Sequence, residues 1–236
     1  MPDVKVTLSA NAGVCIEVSG RKIWVDALYE GADVGFSRMS AALQRQVLES
    51  DAFANPDHIV YTHCHVDHYS KTLANLAMKR WGRAKAYLPE QELEGQILLT
   101  GDEMRFVDGD LTLRFLLLPH AGAQYAGVKL YGLVISLPGC NILLPGDCEV
   151  ASPQLAKAIG DTKIDLAIVD FPWITLRGGR AFVESHIRPE HILACHLPFA
   201  EDDGNGYRQA AFKAAKAMEK DVRLLLEPMQ TESIKI

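Results

Sequence analysis

Residues 58–68 of the 236-residue chain read HIVYTHCHVDH, and this stretch determines how the rest of the sequence is interpreted. The run His58 to Tyr61 predicts a buried strand, and the pattern from Tyr69 to Arg80 predicts a helix. Between them, residues 63–68 contain three imidazoles and a carboxylate, a concentration of ligand atoms that core packing does not require. The sequence therefore predicts a metal site at a strand-to-helix turn, where open α/β sheets place their ligands.

The spacing within this turn is compatible with two ions. His63 and His65 can point toward one ion, while Asp67 and His68 turn toward a second position close by. In the alternative interpretation, each histidine is hydrogen-bonded separately in a loop. That alternative requires four ligand-type residues to occur together by chance.

The composition limits the partners and the compartment. A net charge of −6 argues against a protein that neutralises many phosphates, so a long nucleic acid is not expected as a partner. The N-terminus lacks a basic segment followed by an apolar one, and no run approaches the roughly 20 apolar residues of a membrane span. Five cysteines without a CxxC motif suggest neither a disulfide framework nor a Cys-type zinc site. We expect a cytoplasmic protein without a membrane segment.

The predicted elements indicate an α/β fold. A block of mostly strands is followed by helix-flanked strands, a second strand block and further αβ units, and Pro89 to Glu92 resembles a helix start. Two mixed β-sheets flanked by helices, a four-layer αββα sandwich forming a single domain over residues 1–236, accommodate this order best. One edge of such a sandwich would collect the polar residues that follow strands, which are His63, His65, Asp67, His68, His120, Asp147 and His196.

This ordered set resembles the metallo-β-lactamase-fold superfamily of metal-dependent hydrolases. Residues 63–68 match its HxHxDH motif, His120 its third-motif histidine, Gly146-Asp147 its bridging aspartate and Cys195-His196 its terminal histidine. The resemblance covers nearly the whole chain and implies two divalent ions, most often Zn²⁺, with Mn²⁺ or Fe²⁺ as alternatives. It also implies a division of the ligands: His63, His65 and His120 for one ion, Asp67, His68 and His196 for the other, and Asp147 for both.

The activity implied is hydrolysis of an ester-type bond by a hydroxide that bridges the two ions. The short form of the chain is most similar to the small stand-alone lactonase-like and phosphodiesterase-like members, which favours a phosphodiester or a lactone as substrate. Asp67 would orient the hydroxide and relay a proton to the leaving group, a catalytic role. Two alternatives remain: a non-catalytic metal-binding regulator or scaffold, and a nucleic-acid-processing nuclease of the same fold, which the acidic balance disfavours.

Three further residues are candidates for substrate binding. Arg177 and Arg180 flank Gly178-Gly179 at a predicted helix start, so their guanidinium groups can face the pocket and select a small anionic substrate. It is equally plausible that both arginines are solvated surface residues. Trp173, like Phe171 and Phe199, lies in a loop near predicted ligands and either lines the pocket or packs elsewhere. The sequence does not indicate the oligomeric state.

Overall fold

The computed structural model describes residues 3–31 and 35–236. Its strands are β1 (Asp3–Ala10), β2 (Gly13–Val18), β3 (Arg21–Val25), β4 (His58–Val60), β5 (Lys85–Leu88), β6 (Ile97–Leu98), β7 (Glu103–Asp108), β8 (Leu111–Leu118), β9 (Leu130–Leu137), β10 (Cys140–Leu144), β11 (Leu166–Asp170), β12 (His191–Cys195), β13 (Asp221–Leu224) and β14 (Thr231–Lys235). The helices are α1 (Ala41–Glu49), α2 (Lys71–Arg80), α3 (Pro153–Ile159), α4 (Pro172–Thr175), α5 (Arg177–Phe182) and α6 (Tyr207–Ala217), with a 3₁₀ turn at Ala123–Tyr125 and a π-helical turn at Val183–Ile187.

The strands form two seven-stranded mixed sheets. The first has the order β14-β1-β2-β3-β4-β5-β6 and the second the order β13-β12-β11-β10-β9-β8-β7. In the first sheet β1 to β3 pair antiparallel and β3 to β6 pair parallel. In the second sheet β10 to β13 pair parallel, while β7 to β10 pair antiparallel. The prediction of two mixed sheets is confirmed.

Three groups of buried apolar side chains hold the layers together. The first lies between the sheets and combines residues such as Val6 and Ile16 with Leu113 and Leu133. The second packs α3 to α6 on the outer face of the second sheet, and the third packs α1 and α2 on the outer face of the first sheet. The layer order is therefore helix, sheet, sheet, helix, as the αββα prediction states.

The topology brings several strand ends to one edge of the sandwich. Parallel strands β3 and β4 end at this edge in the first sheet, as β10, β11 and β12 do in the second. Both β8 and β10 are antiparallel to β9, so β8 runs in the same direction as β10 and ends there too. The carboxyl ends of these strands are the positions from which a ligand site is built.

One predicted element is wrong. Pro89 to Glu92 does not begin a helix; the segment forms bends and turns before β6. The side chain of Gln96 organises this loop, because its Oε1 accepts hydrogen bonds from the backbone N–H groups of Glu92 (2.8 Å) and Leu93 (2.5 Å). Its Nε2 donates to the carbonyl of Glu90 (2.6 Å). These bonds satisfy backbone groups that a helix would otherwise have paired.

Within the described ranges, none of the helices has the length and apolar character needed to cross a membrane. All five cysteines are free thiols in the structure.

The core between the sheets makes a direct stability prediction. Leu133 on β9 is fully buried there, whereas Leu117 on the neighbouring strand β8 is 38% exposed. We expect Leu133→Ala to lower the free energy of unfolding by about 2–5 kcal/mol because it leaves a cavity. Leu117→Ala, the same truncation at an exposed position, should cost much less. Urea unfolding of both variants measures the difference, and equal losses would contradict this packing.

Candidate metal centre

The HCHVDH segment forms a tight turn between β4 and α2. The carbonyl of His65 accepts hydrogen bonds from the backbone N–H groups of His68 (3.1 Å) and Tyr69 (2.9 Å). Ser70 then caps α2, since its hydroxyl accepts from the N–H of Leu73 (3.3 Å). The turn buries His63, Asp67 and His68 completely or nearly so, and leaves His65 half-buried.

The structure gathers six of the seven predicted ligands into two adjacent groups. The first group consists of His63, His65 and His120, and one donor atom from each of these residues lies within 4.8 Å of the other two. The same separation holds for the second group, whose members are Asp67, His68 and His196.

Asp147 lies between the two groups. Its Oδ2 is 3.9 Å from Nε2 of His63 and 3.7 Å from Nε2 of His120, both in the first group. Its Oδ1 is 3.2 Å from Nε2 of His68 and 3.5 Å from Nδ1 of His196, both in the second. Each carboxylate oxygen therefore faces a different group.

The donor atoms at the centre are buried and make no well-formed hydrogen bond to any described residue. They are Nε2 of His63, His68, His120 and His196, together with Oδ1 of Asp147. Buried polar atoms are rarely left without a partner, so their convergence indicates that a further group satisfies them. Imidazole nitrogen and carboxylate oxygen suit zinc, iron or manganese, and the residues present thus fit a metal centre.

A second layer of hydrogen bonds fixes the orientation of the rings. Asp26, just after β3, accepts from the N–H (2.8 Å) and hydroxyl (2.6 Å) of Thr62 and faces Nδ1 of His68 at 2.9 Å. Because the Thr62 hydroxyl donates to Asp26, its oxygen accepts from Nδ1 of His63 at 3.0 Å. Nδ1 of His120 donates to the carbonyl of Ala121 (2.7 Å). In the neutral form of these three rings, such contacts leave the Nε2 lone pair facing the centre, as in metal sites.

The electrostatics of the cluster favour a bound cation. Burial opposes the charge on Asp147, but His68 and His196 outweigh it and hold the pKa of this carboxyl well below its usual range. Burial also disfavours charge on His196, yet the carboxylates of Asp147 and Asp170 raise its pKa to about 10. By contrast, burial and the neighbouring His68 keep the pKa of His63 well below its ordinary value. The carboxylates around His196 therefore favour a positive charge at this position, whereas the surroundings of His63 favour its neutral form.

His196 joins the two sheets at this edge. It follows β12 in a left-handed backbone conformation, with a φ of 57°. Its N–H donates to the carbonyl of Asn11, in the turn between β1 and β2 of the other sheet, at 2.8 Å. The ring of Phe36 stacks on the imidazole with centroids 4.2 Å apart. A non-glycine residue held at positive φ is a strained position of the kind that accumulates at functional sites.

Sequence reasoning missed two carboxylates of this site, Asp26 and Asp170. Asp170 ends β11, and its Oδ2 lies 3.6 Å from Nδ1 of His196. Burial, together with the nearby Asp147, raises the pKa of Asp170 to about 6. Both missed residues lie at strand ends, as the predicted ligands do, but an aspartate at a strand end is common, so this position alone does not identify them.

A cavity of about 210 Å³ opens beside the cluster. One wall consists of predicted ligands, namely His65, Asp67, His120, Asp147 and His196. The remaining lining is mostly apolar and aromatic: Phe36, Ala121, Tyr125, Cys148, Val150, Asp170, Phe171, Pro172, Trp173 and Tyr207. Trp173 lies in α4 rather than in the loop expected from the sequence, and both Trp173 and Phe171 line this cavity, whereas Phe199 does not.

The two arginines proposed to bind substrate are placed elsewhere, and this expectation is corrected. Nη1 of Arg180 donates to the carbonyls of Ile174 (3.0 Å) and Thr175 (2.7 Å) at the end of α4. Arg177 is exposed, and neither arginine lines the cavity. Arg180 is therefore a helix-capping residue, because its donors pair with carbonyls that a helix end leaves unsatisfied.

Comparison with known proteins agrees with the fold described above. A family model described as a β-lactamase superfamily domain matches residues 21–202, and no curated protein sequence matches the chain. Igni18, a metallo hydrolase from the archaeon Ignicoccus hospitalis, is 18% identical with a TM-score of 0.67, covering 99% of both chains.

Two other solved structures share the fold. An isothiocyanate hydrolase from Delia radicum gut bacteria is 19% identical with a TM-score of 0.63, covering 98% of this chain and 99% of that one. CmlA, a diiron β-hydroxylase from Streptomyces venezuelae, is 15% identical with a TM-score of 0.59, covering 99% of this chain and 54% of that one.

The orienting role of Asp26 can be tested by metal affinity. In Asp26→Asn an amide NH₂ replaces one of the two carboxylate oxygens. Whichever oxygen is replaced, a contact with the His68 ring or with the Thr62 donors is lost. We therefore expect zinc affinity to fall about 10- to 100-fold. The control is Asp165→Asn, because Asp165 is also buried and accepts a backbone N–H, from Asn141 (2.8 Å), but precedes β11 at its opposite end. Competition with a zinc chelator measures affinity. Equal losses in both variants would mean that Asp26 acts only on overall stability.

Proposed function

The chain belongs to the β-lactamase superfamily of metal-dependent hydrolases, and we propose that it cleaves an ester-type bond in a small molecule with a dinuclear metal site. The observation that carries the proposal is the position of Asp147. Its two oxygens face two different ligand groups, at 3.7–3.9 Å on one side and 3.2–3.5 Å on the other. A carboxylate so placed is suited to serve two ions at once.

The proposal assigns the ligands as the two groups divide them. His63, His65 and His120 would hold the first ion; Asp67, His68 and His196 the second; Asp147 both. Divalent ions in such a site lower the pKa of a bound water and stabilise negative charge on the reacting group. Zinc is our first choice because the donors are imidazoles and carboxylates, with iron or manganese as alternatives. Among the structural neighbours, one is described as a zinc-dependent hydrolase and CmlA as a diiron enzyme.

Asp67 is the residue we propose for proton transfer. It lines the cavity, and its Oδ2 lies 3.5 Å from Nε2 of His196 and 4.0 Å from Nε2 of His68. From this position its carboxylate can orient an attacking water and pass a proton to the leaving group. His196 and His68 overcome the effect of burial and lower the pKa of Asp67, which keeps the carboxylate ionised and able to accept the proton.

The substrate class we propose is a small phosphodiester or lactone. A cavity of about 210 Å³ accommodates a small molecule or one end of a longer one. The described residues that line it include no lysine or arginine, which weighs against the nuclease alternative, since nucleic-acid sites carry positive charge. Arg177 and Arg180 no longer support an anionic substrate, because Arg180 caps α4 and neither arginine lines the cavity, so the charge of a phosphodiester would have to lie at the reacting group beside the ions.

Metal stoichiometry tests the proposal. The wild-type protein should bind about two zinc ions per chain, and His120→Ala and His196→Ala should each lose about one. His191→Ala is the control, because His191 is paired with Asp221 (3.0 Å) away from the cluster and should keep both ions. Elemental analysis of the dialysed variants measures the content.

Activity supplies the second half of this test. The zinc-loaded protein should hydrolyse a member of a panel of phosphodiesters, lactones and thioesters, and a chelator should abolish that hydrolysis. A folded wild type that binds no divalent ion, or hydrolysis that survives both chelation and His196→Ala, would overturn the proposed function.

A further inference from the structure

We propose that the cavity beside the metal centre selects substrates whose portion beyond the reacting bond is uncharged and apolar. It would discriminate against substrates that carry a negative charge in that portion. This inference rests on the proposed function, because it takes the reacting bond to lie at the Asp147 cluster. It concerns the wall that faces the cluster across the cavity.

That wall is built from aromatic and aliphatic side chains. Phe171 and Trp173 lie at the end of β11 and in α4, and Tyr207 begins α6. The rings of Phe171 and Tyr207 pack against each other with centroids 4.8 Å apart, and Trp173 packs on Phe182 at 5.7 Å. These contacts hold the aromatic faces in place without a ligand. A preformed apolar surface of this kind gains free energy by covering the apolar part of a ligand.

The wall away from the cluster offers no positive charge to an anionic substituent. Among the described lining residues outside the seven proposed ligands, Asp170 is the one with an ionisable carboxylate or ammonium-type side chain, and it is only 9% exposed. The guanidinium of Arg180 is engaged by the carbonyls of Ile174 and Thr175. An anion placed against this wall would lose its hydration and find no cation to pair with.

A cationic substituent is the competing possibility, because aromatic rings beside a carboxylate can also bind ammonium groups. Asp170 is not available for that role, since its Oδ2 faces Nδ1 of His196 at 3.6 Å. The neutral apolar substituent remains the best match, and the cationic one becomes an outcome of the experiment.

The experiment measures binding of matched hydroxamates to the zinc-loaded protein by calorimetry. Each benzohydroxamate carries the same metal-binding group and differs only in its para substituent. One pair compares isopropyl with carboxylate, and the other compares tert-butyl with the isosteric trimethylammonium. We expect the carboxylate to bind at least about tenfold more weakly than isopropyl because its charge is desolvated without a partner. Trimethylammonium should also bind more weakly than tert-butyl.

A charge-introducing variant tests the wall directly. Val150 lines the cavity and is half-buried, so Val150→Lys places an ammonium group there and should narrow or reverse the preference for isopropyl over carboxylate. The control is Val107→Lys, the same substitution at a position 67% exposed on β7, which should leave the preference unchanged. If Val150→Lys does not fold, the two wild-type pairs still decide the question.

The outcomes separate this inference from the proposed function. Equal binding of the isopropyl and carboxylate compounds, or tighter binding of trimethylammonium than of tert-butyl, would overturn the inference while the metal site stands. A protein that takes up no zinc, or zinc-loaded protein that binds none of the hydroxamates, would overturn the proposed function, and the inference with it.

Discussion

The convergence of buried, unpaired ligand atoms around the Asp147 carboxylate is the constraint on which the rest of the site depends. Such atoms are costly to bury, and they remain aimed at one another only because their other sides are held. Asp26 and Thr62 hold the rings of His68 and His63, and the Ala121 carbonyl holds His120. The surrounding layer is therefore as necessary to the centre as the ligands are.

The sequence was sufficient to predict the αββα layers and the residues that gather at one edge of the sandwich, because both depend on local patterns. His63 to His68 follow a short apolar strand, and His120, Asp147 and His196 each follow another. A strand-end position together with a ligand-type side chain can be recognised without knowledge of tertiary structure. Asp26 and Asp170 could not be singled out in the same way, because an aspartate after a strand is common. Their importance depends on β3 lying beside β4, and on β11 lying beside β12.

The errors have equally specific causes. Arg180 was expected in the pocket because α4, only four residues long, gives no recognisable periodicity in the sequence. Once α4 forms, its carbonyls are the nearest acceptors for the guanidinium. Close packing reinforces this arrangement: a Cβ on Gly179 would lie 2.6 Å from the Trp173 carbonyl oxygen, so the glycine allows α5 to approach α4. At Pro89, no helix begins because the side chain of Gln96, a few residues further along the same loop, bonds the backbone groups instead.

The ligands come from both sheets, and this has a consequence for how the molecule is assembled. The HCHVDH turn belongs to the first sheet, whereas His120, Asp147 and His196 follow strands of the second. An ion held by His63, His65 and His120 would cross-link the two halves of the sandwich at one edge, next to the bond from His196 to Asn11. Binding that requires the folded state adds its free energy to that state. The metal centre would thus hold the two sheets together, and the availability of metal in the cell would determine how stable the assembled sandwich is.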